Sequence, residues 1–254
     1  MPLYEDKHNA ENVIKISDKA KNAAVFGAAE VIENIARAAC GKNAVALDGW
    51  YGVDFAVIKS MLGNALKAQG IDFEFVDASI LYRSKEQLAE YKQPYITNDP
   101  GFGYVNTEGV LSDIIDTQAV EAFISKIRAS DRLIVIVGSG AAVPELRASC
   151  DLIYYFDITM QRLEWKMWDG ELIPFGCTEP GKDYNWKEYH YCDFYLLYRH
   201  KKYLYGNMDY YVEATEANAL KMVPRFAYDE IVSEAVKYPI KQVQIFQPGP
   251  WGAY

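Results

Sequence analysis

The sequence predicts an α/β fold of three layers, with a mostly parallel central sheet of about five strands between helices. Three observations carry that expectation. Short apolar or alternating runs at 43–47, 71–76, 132–137 and 152–156 read as strands, with segments of helical periodicity between them. Strands that alternate with helices need right-handed crossovers and therefore run parallel. The run RLIVIV at 132–137 is apolar without alternation, as befits a strand buried on both faces. Half of the 254 residues are hydrophobic and 24% are charged, which allows one sizeable core and gives the composition of an ordinary globular chain.

The elements follow in order. Apolar residues recur at helical spacing from Asp18 to Cys40, and Gly41 stands where a helix-ending glycine belongs, so one long opening helix is expected. The strand at 43–47 ends in Asp48-Gly49 and leads through a loop into a helix from Val53 to Ala68, closed by Gly70. IDFEFV at 71–76 alternates as a strand does and ends at Asp77, and Ser84 is positioned to cap a short helix over 84–91. Residues 94–109 are dense in Pro, Gly, Asn and Asp and read as an irregular excursion of the kind that often carries function. An amphipathic helix at 117–129 precedes the core strand at 132–137. A short helix is expected near Pro144 to Ala148, then a strand at 152–156 ending at Asp157 and a helix from Thr159 to Trp168. Residues 174–192 read as aromatic loop, 194–204 as helix, 210–212 as a short strand and 229–236 as helix, and KQVQIFQPGPWGAY as a strand running into a Pro-Gly turn. There are no internal repeats.

Net charge is −9, so the overall field repels polyanions and acidic lipid, and neither nucleic acid nor membrane is expected as a partner. The N-terminus lacks a basic segment leading into an apolar one, and no window approaches a membrane span. Cys40, Cys150, Cys177 and Cys192 form no Cys-x-x-Cys pair, so reduced thiols in a cytoplasmic protein are the simplest expectation. His190 and Cys192 with Cys177 match no structural zinc spacing, and no metal site is expected.

The turn Asp48-Gly-Trp-Tyr-Gly-Val-Asp-Phe-Ala56 follows a strand and opens a helix, where a phosphate-binding loop belongs. A working P-loop reads G-x-x-x-x-G-K-[ST], because the second glycine lets the backbone close on phosphate, the lysine neutralises it and the hydroxyl holds Mg²⁺. Counting from Gly49 puts Asp54, Phe55 and Ala56 at those three positions. ATP chemistry is therefore disfavoured, and the turn reads either as a plain strand-to-helix connection or as a relic anion site. Gly138-Ser-Gly140 with Asp157 offers a rival dinucleotide fingerprint, but Val143 stands where a small residue is needed. Asp48, Asp77 and Asp157 all fall at strand C-termini, the edge where parallel sheets bind ligands, although acids are also common turn-formers there. Asp77, with Arg83 close behind it, is the candidate catalytic residue. Arg162 and Lys166, four apart on one helix, could face a phosphate. Arg199-His-Lys-Lys202 is a basic patch that reads equally well as surface. The candidate ligand-binding set is Asp48, Gly49, Gly52, Asp77, Arg83, Arg162 and Lys166.

This order of strands, degenerate loop, excursion (Asp99-Pro-Gly-Phe-Gly103), core strand and cationic helix is similar to the uridine-kinase-like branch of P-loop kinases. More narrowly, Asp99-Pro-Gly-Phe-Gly-Tyr-Val105, the Tyr198–Lys202 patch and Gln247-Pro-Gly-Pro-Trp-Gly-Ala253 resemble the N-terminal region of bacterial two-domain class I mannose-6-phosphate isomerases. The resemblance implies a kinase-like domain over 1–240 and a strand or linker over 241–254 leading toward an absent C-terminal cupin. Zinc is expected only in that cupin, and no cofactor in this domain. It further implies a partner cupin in cis or trans, and a regulatory or sensing role toward a sugar phosphate or nucleotide. An active small-metabolite kinase with an unconventional phosphate clamp, or a scaffold that binds no ligand, are the alternatives.

Overall fold

The computed structural model describes residues 13–177, 180 and 186–237. They fall into two compact units, one from residues 13–23 with 226–237 and one from the described residues of 24–225.

The larger unit is built on a seven-stranded sheet. Its strands are β1 (Val25–Phe26), β2 (Ala44–Gly49), β3 (Phe73–Asp77), β4 (Leu133–Val137), β5 (Leu152–Asp157), β6 (Tyr210–Glu213) and β7 (Lys221–Pro224), in the spatial order β1-β7-β6-β5-β2-β4-β3. From β3 across to β6 all neighbours are parallel, which gives the five expected strands, while β7 and β1 add an antiparallel edge. That edge was hidden because β1 has two residues and β7 ends in proline, too little for an alternating pattern. β2 lies at the centre of the five parallel strands, with β4 on one side and β5 on the other, and every residue of β2 and β4 is buried.

The helices are α1 (Asp18–Asn22), α2 (Ala28–Ala39), α3 (Phe55–Ala68), α4 (Lys85–Ile96), α5 (Thr117–Ala129), α6 (Met160–Trp168), α7 (Trp186–Glu188), α8 (Phe194–Tyr205) and α9 (Arg225–Ala235). The expected long opening helix is two helices. Gly27, at φ +92°, turns the chain after β1, a conformation that costs glycine little and other residues much. Gly41, at φ +71°, follows α2 as expected. α4 carries Pro94 within it and ends at Thr97, held at φ +45°. The expected short helix at 144–148 is a set of turns with a 3₁₀ segment at Arg147–Ser149. Part of the expected aromatic loop is helical, because α7 passes through a π-helical turn, Tyr189–Asp193, into α8.

Helices cover both faces. Register places Phe73 and Phe75 on the same face as Val45 and Leu47, and α3 packs there so closely that a Cβ on Gly63 would lie 3.3 Å from the Phe75 ring. Asp48 points to the opposite face, where it meets α8. Three layers result, as the sequence predicts.

In the smaller unit, Ser17 caps α1 by accepting from the Ala20 amide, and its own amide and hydroxyl both donate to Glu230 of α9. The Lys19 ammonium sits 4.6 Å from the centroid of the Phe226 ring. The expected strand and turn over 241–254 lie outside the described residues.

Candidate functional site

A crevice of about 590 Å³ opens at the carboxyl ends of β2, β3 and β4. This is the edge of a parallel sheet, and β2 and β4 are neighbours whose following connections leave in opposite directions, to β3 and to β5, the position where such sheets take ligands. The turn Trp50–Ala56 forms one wall, Asp77, Ser79 and Tyr82 a second, and Gly138 and Ser139 a third, while Lys59 of α3 and Lys166 of α6 reach in from two helices.

The turn after β2 is held by its aromatic residues. Trp50 and Tyr51 are both buried. The Trp50 amide donates to the Phe156 carbonyl at 3.1 Å and its indole to the Tyr189 hydroxyl at 2.9 Å. The Tyr51 hydroxyl donates to Asp193 at 3.3 Å and accepts from the Phe175 amide at 2.9 Å, with the Tyr51 and Phe175 rings 4.6 Å apart. Gly52 turns the chain at φ +80°, and Asp54 caps α3 by accepting from the Val57 amide at 3.3 Å. Among the described residues, the amides of Gly52, Asp54 and Ala56 make no hydrogen bond. Phe55, which takes the place of a P-loop lysine, packs edge-on against Phe156 at 5.7 Å.

The structure brings Gly52, Asp77 and Lys166 of the sequence-derived set together at the crevice and directs the others elsewhere. Asp77 caps the following 3₁₀ turn through Ser79 at 2.9 Å. Asp48 is fully buried, and its carboxylate accepts from the Gly140 amide at 3.1 Å, the Ala142 amide at 2.7 Å and His200 Nε2 at 2.7 Å. Gly49 allows close strand packing, since a Cβ there would lie 2.7 Å from the Phe156 carbonyl oxygen. Arg83 donates to the Ile115 carbonyl at 3.4 Å, and Arg162 lies 3.7 Å from Glu216. The three strand-end acids separate by register, with Asp48 and Asp157 on the α8 face and Asp77 on the α3 face.

Lys59, Tyr82 and Glu171 were not singled out from sequence. Lys59 sits one turn beyond the place where a P-loop lysine is sought, so a motif count from Gly49 passes over it. The Tyr82 hydroxyl donates to the Ser139 carbonyl. Burial, with Asp48, Asp77 and Asp193 nearby, pushes its pKa well up, so it stays a donor. The basic patch at 199–202 is partly interior. His200 serves Asp48 and Lys201 serves Asp157, while Arg199 donates to the carbonyls of Asn106 and Gly109. Behind the turn, Lys92 is buried at 2.9 Å from Asp193 and 3.4 Å from Glu188. Desolvation pulls this ammonium down, but the two carboxylates outweigh it and the net shift is upward. Among the described residues, no cluster of three or more His, Cys, Asp or Glu side chains could hold a metal ion, and no helix is long and apolar enough to cross a membrane.

The family described as "Domain of unknown function (DUF8485)" matches residues 27–237, most of the chain and nearly all of the larger unit. The chain belongs to that family. The match takes in the whole crevice, from the turn after β2 to Cys177. No curated protein matches the chain. Two solved structures resemble it over 54% of its length. One is a candidate fructose transport system kinase from Silicibacter sp. TM1040, with TM-score 0.39, 16% identity and 82% of that chain covered. The other is a possible uridine kinase from Bacillus stearothermophilus, with TM-score 0.36, 14% identity and 88% of that chain covered. Likeness of this degree assigns no role to any residue here.

Proposed function

We propose that this family member is a catalytically degenerate, nucleoside-kinase-like domain whose crevice binds a phosphorylated sugar and acts as a sensor for a sugar-phosphate isomerase. The observation that carries the reading is the charge pattern of the crevice. Lys59 and Lys166 face it together with Asp54, Asp77 and Glu171, two positive groups against three negative. A triphosphate would meet net repulsion, and no lysine or hydroxyl occupies the turn positions that would hold it and its Mg²⁺. A hydroxyl-bearing monophosphate suits the same wall, because its single phosphate can pair with the lysines and the unspent turn amides while its hydroxyls donate to the carboxylates. The isomerase association rests on the resemblance at 247–253, outside the described residues, and it points to hexose 6-phosphates as the ligands.

An active small-metabolite kinase is the second reading. It is favoured by the presence of Asp77 and Lys166 on the same crevice, as base and charge stabiliser respectively. Calorimetric titration with mannose 6-phosphate, fructose 6-phosphate and Mg-ATP separates the two. Saturable binding of a hexose phosphate with silence toward Mg-ATP supports the sensor. Mg²⁺-dependent ATP binding supports the kinase, and silence toward all three overturns both.

A further inference from the structure

β3 is the last strand on its side of the sheet and pairs with β4 alone. The Leu133 amide donates to the Asp72 carbonyl at 3.0 Å, which fixes the ladder: the backbone groups of Asp72, Glu74 and Val76 turn toward β4, and those of Phe73 and Phe75 turn outward. The Phe73 carbonyl accepts from Arg132 at 2.7 Å, whereas the amides of Phe73 and Phe75 and the Phe75 carbonyl have no partner among the described residues. An open edge of this kind is a template for a further strand.

Beside it runs a groove of about 500 Å³ between α3 and β3. Lys59 and Lys67 of α3, Arg132, Asp72 and the half-buried rings of Phe73 and Phe75 line it. Arg132 is paired with Asp72 at 2.9 Å, while Lys59 and Lys67 make no ion pair among the described residues, so the groove holds two uncompensated positive charges. They stand eight positions apart on α3. That separation is about 12 Å along a helix, close to the roughly 13 Å between residues four apart on one face of an extended chain. A strand laid along β3 sends alternate side chains to the face that carries α3, so acids at those positions reach both lysines while the backbone meets the open amides and carbonyl. A small anion would leave that edge unpaired. A second copy of this chain would set the other face of β3, with Asp72 and Glu74, against itself, like charge on like. We propose that the β3 edge and this groove bind an extended acidic segment of a partner protein, added to the sheet as a further strand.

The inference does not depend on what the crevice binds, because Lys67 lines the groove and not the crevice. The probe is a capped peptide of alternating Glu and Val, titrated into the isotope-labelled full chain and followed by NMR. Saturable binding is expected, with hydrogen exchange slowed at the Phe73 and Phe75 amides. Lys67 is exposed, so Lys67→Glu keeps the fold, and the reversal is expected to weaken binding at least about fivefold. The same peptide with its backbone amides N-methylated keeps its charge and loses the donors of a ladder, and it is expected to bind the native protein at least about tenfold more weakly. No saturable binding, equal binding by the methylated peptide, or equal binding to the Lys67→Glu variant would each overturn the proposal. So would protection of the Phe75 amide that rises with protein concentration in the absence of peptide, the mark of a second copy on this edge.

Discussion

Asp48 shows how far a single residue can be read from sequence. Its place at the carboxyl end of a strand, the edge where parallel sheets bind ligands, was legible. Its partner was not, because His200 lies 152 positions away inside a run of basic residues that resembles solvent-facing surface. Strand parity decides the matter, since Asp48 points away from the face that carries α3 and into the α8 layer. With two backbone amides and a buried histidine depending on it, Asp48→Ala is expected to destabilise the protein by about 3–5 kcal/mol in chemical denaturation. A loss below about 1 kcal/mol would mean the network is incidental. The cysteines supply a second residue-scale expectation. Burial pushes the Cys150 and Cys192 thiols up to about 12, while Cys40 is exposed. Alkylation of the native protein should therefore modify Cys40 and spare Cys150 and Cys192. A raised folded pKa stabilises the neutral form, so the contribution of these thiols is complete below about pH 8.5 and is lost as pH rises toward their folded values. Denaturation midpoints should fall across that alkaline range, and less so in a Cys150→Ala variant.

At the scale of elements, the turn between β2 and α3 was located correctly and its departures from a P-loop were visible residue by residue. What replaces the phosphate clamp was not visible, because Trp50 and Tyr51 are anchored by Tyr189, Phe175 and Asp193, all distant in sequence. Both glycines of the turn are needed for different reasons. Gly52→Ala places a side chain at φ +80° and 3.1 Å from Leu163, and is expected to cost about 1–2 kcal/mol. Gly49→Ala sets a Cβ against the backbone of β5 and should cost more, since the sheet itself must open. Equal denaturation midpoints for the two variants would contradict that ranking. The excursion shows the same division. Its irregularity was legible, but its order comes from Asp99, which accepts from the amides of Gly101 and Phe102 at 2.8 Å each, and from Thr97, which donates to the Phe102 carbonyl at 2.9 Å. The Gly101 and Phe102 amides hold the Asp99 carboxyl below its usual range.

For the whole molecule, alternation of strand and helix was enough to predict a parallel, three-layer sheet, because crossover geometry leaves few other arrangements. The antiparallel edge of β7 and β1 escaped, since strands of four and two residues carry no period. The sheet order puts the turn after β2 and the carboxyl ends of β3 and β4 around one crevice, and it sets Lys59 and Lys166, from helices about a hundred residues apart in sequence, against the same space. That convergence is the property on which the sensor reading stands. The most direct test is calorimetric titration of fructose 6-phosphate into the native protein and into a Lys59→Ala/Lys166→Ala double variant of confirmed fold. The account predicts saturable one-site binding by the native protein, weakened at least about tenfold in the double variant. Equal affinity in the two proteins, or no binding by the native one, would contradict it.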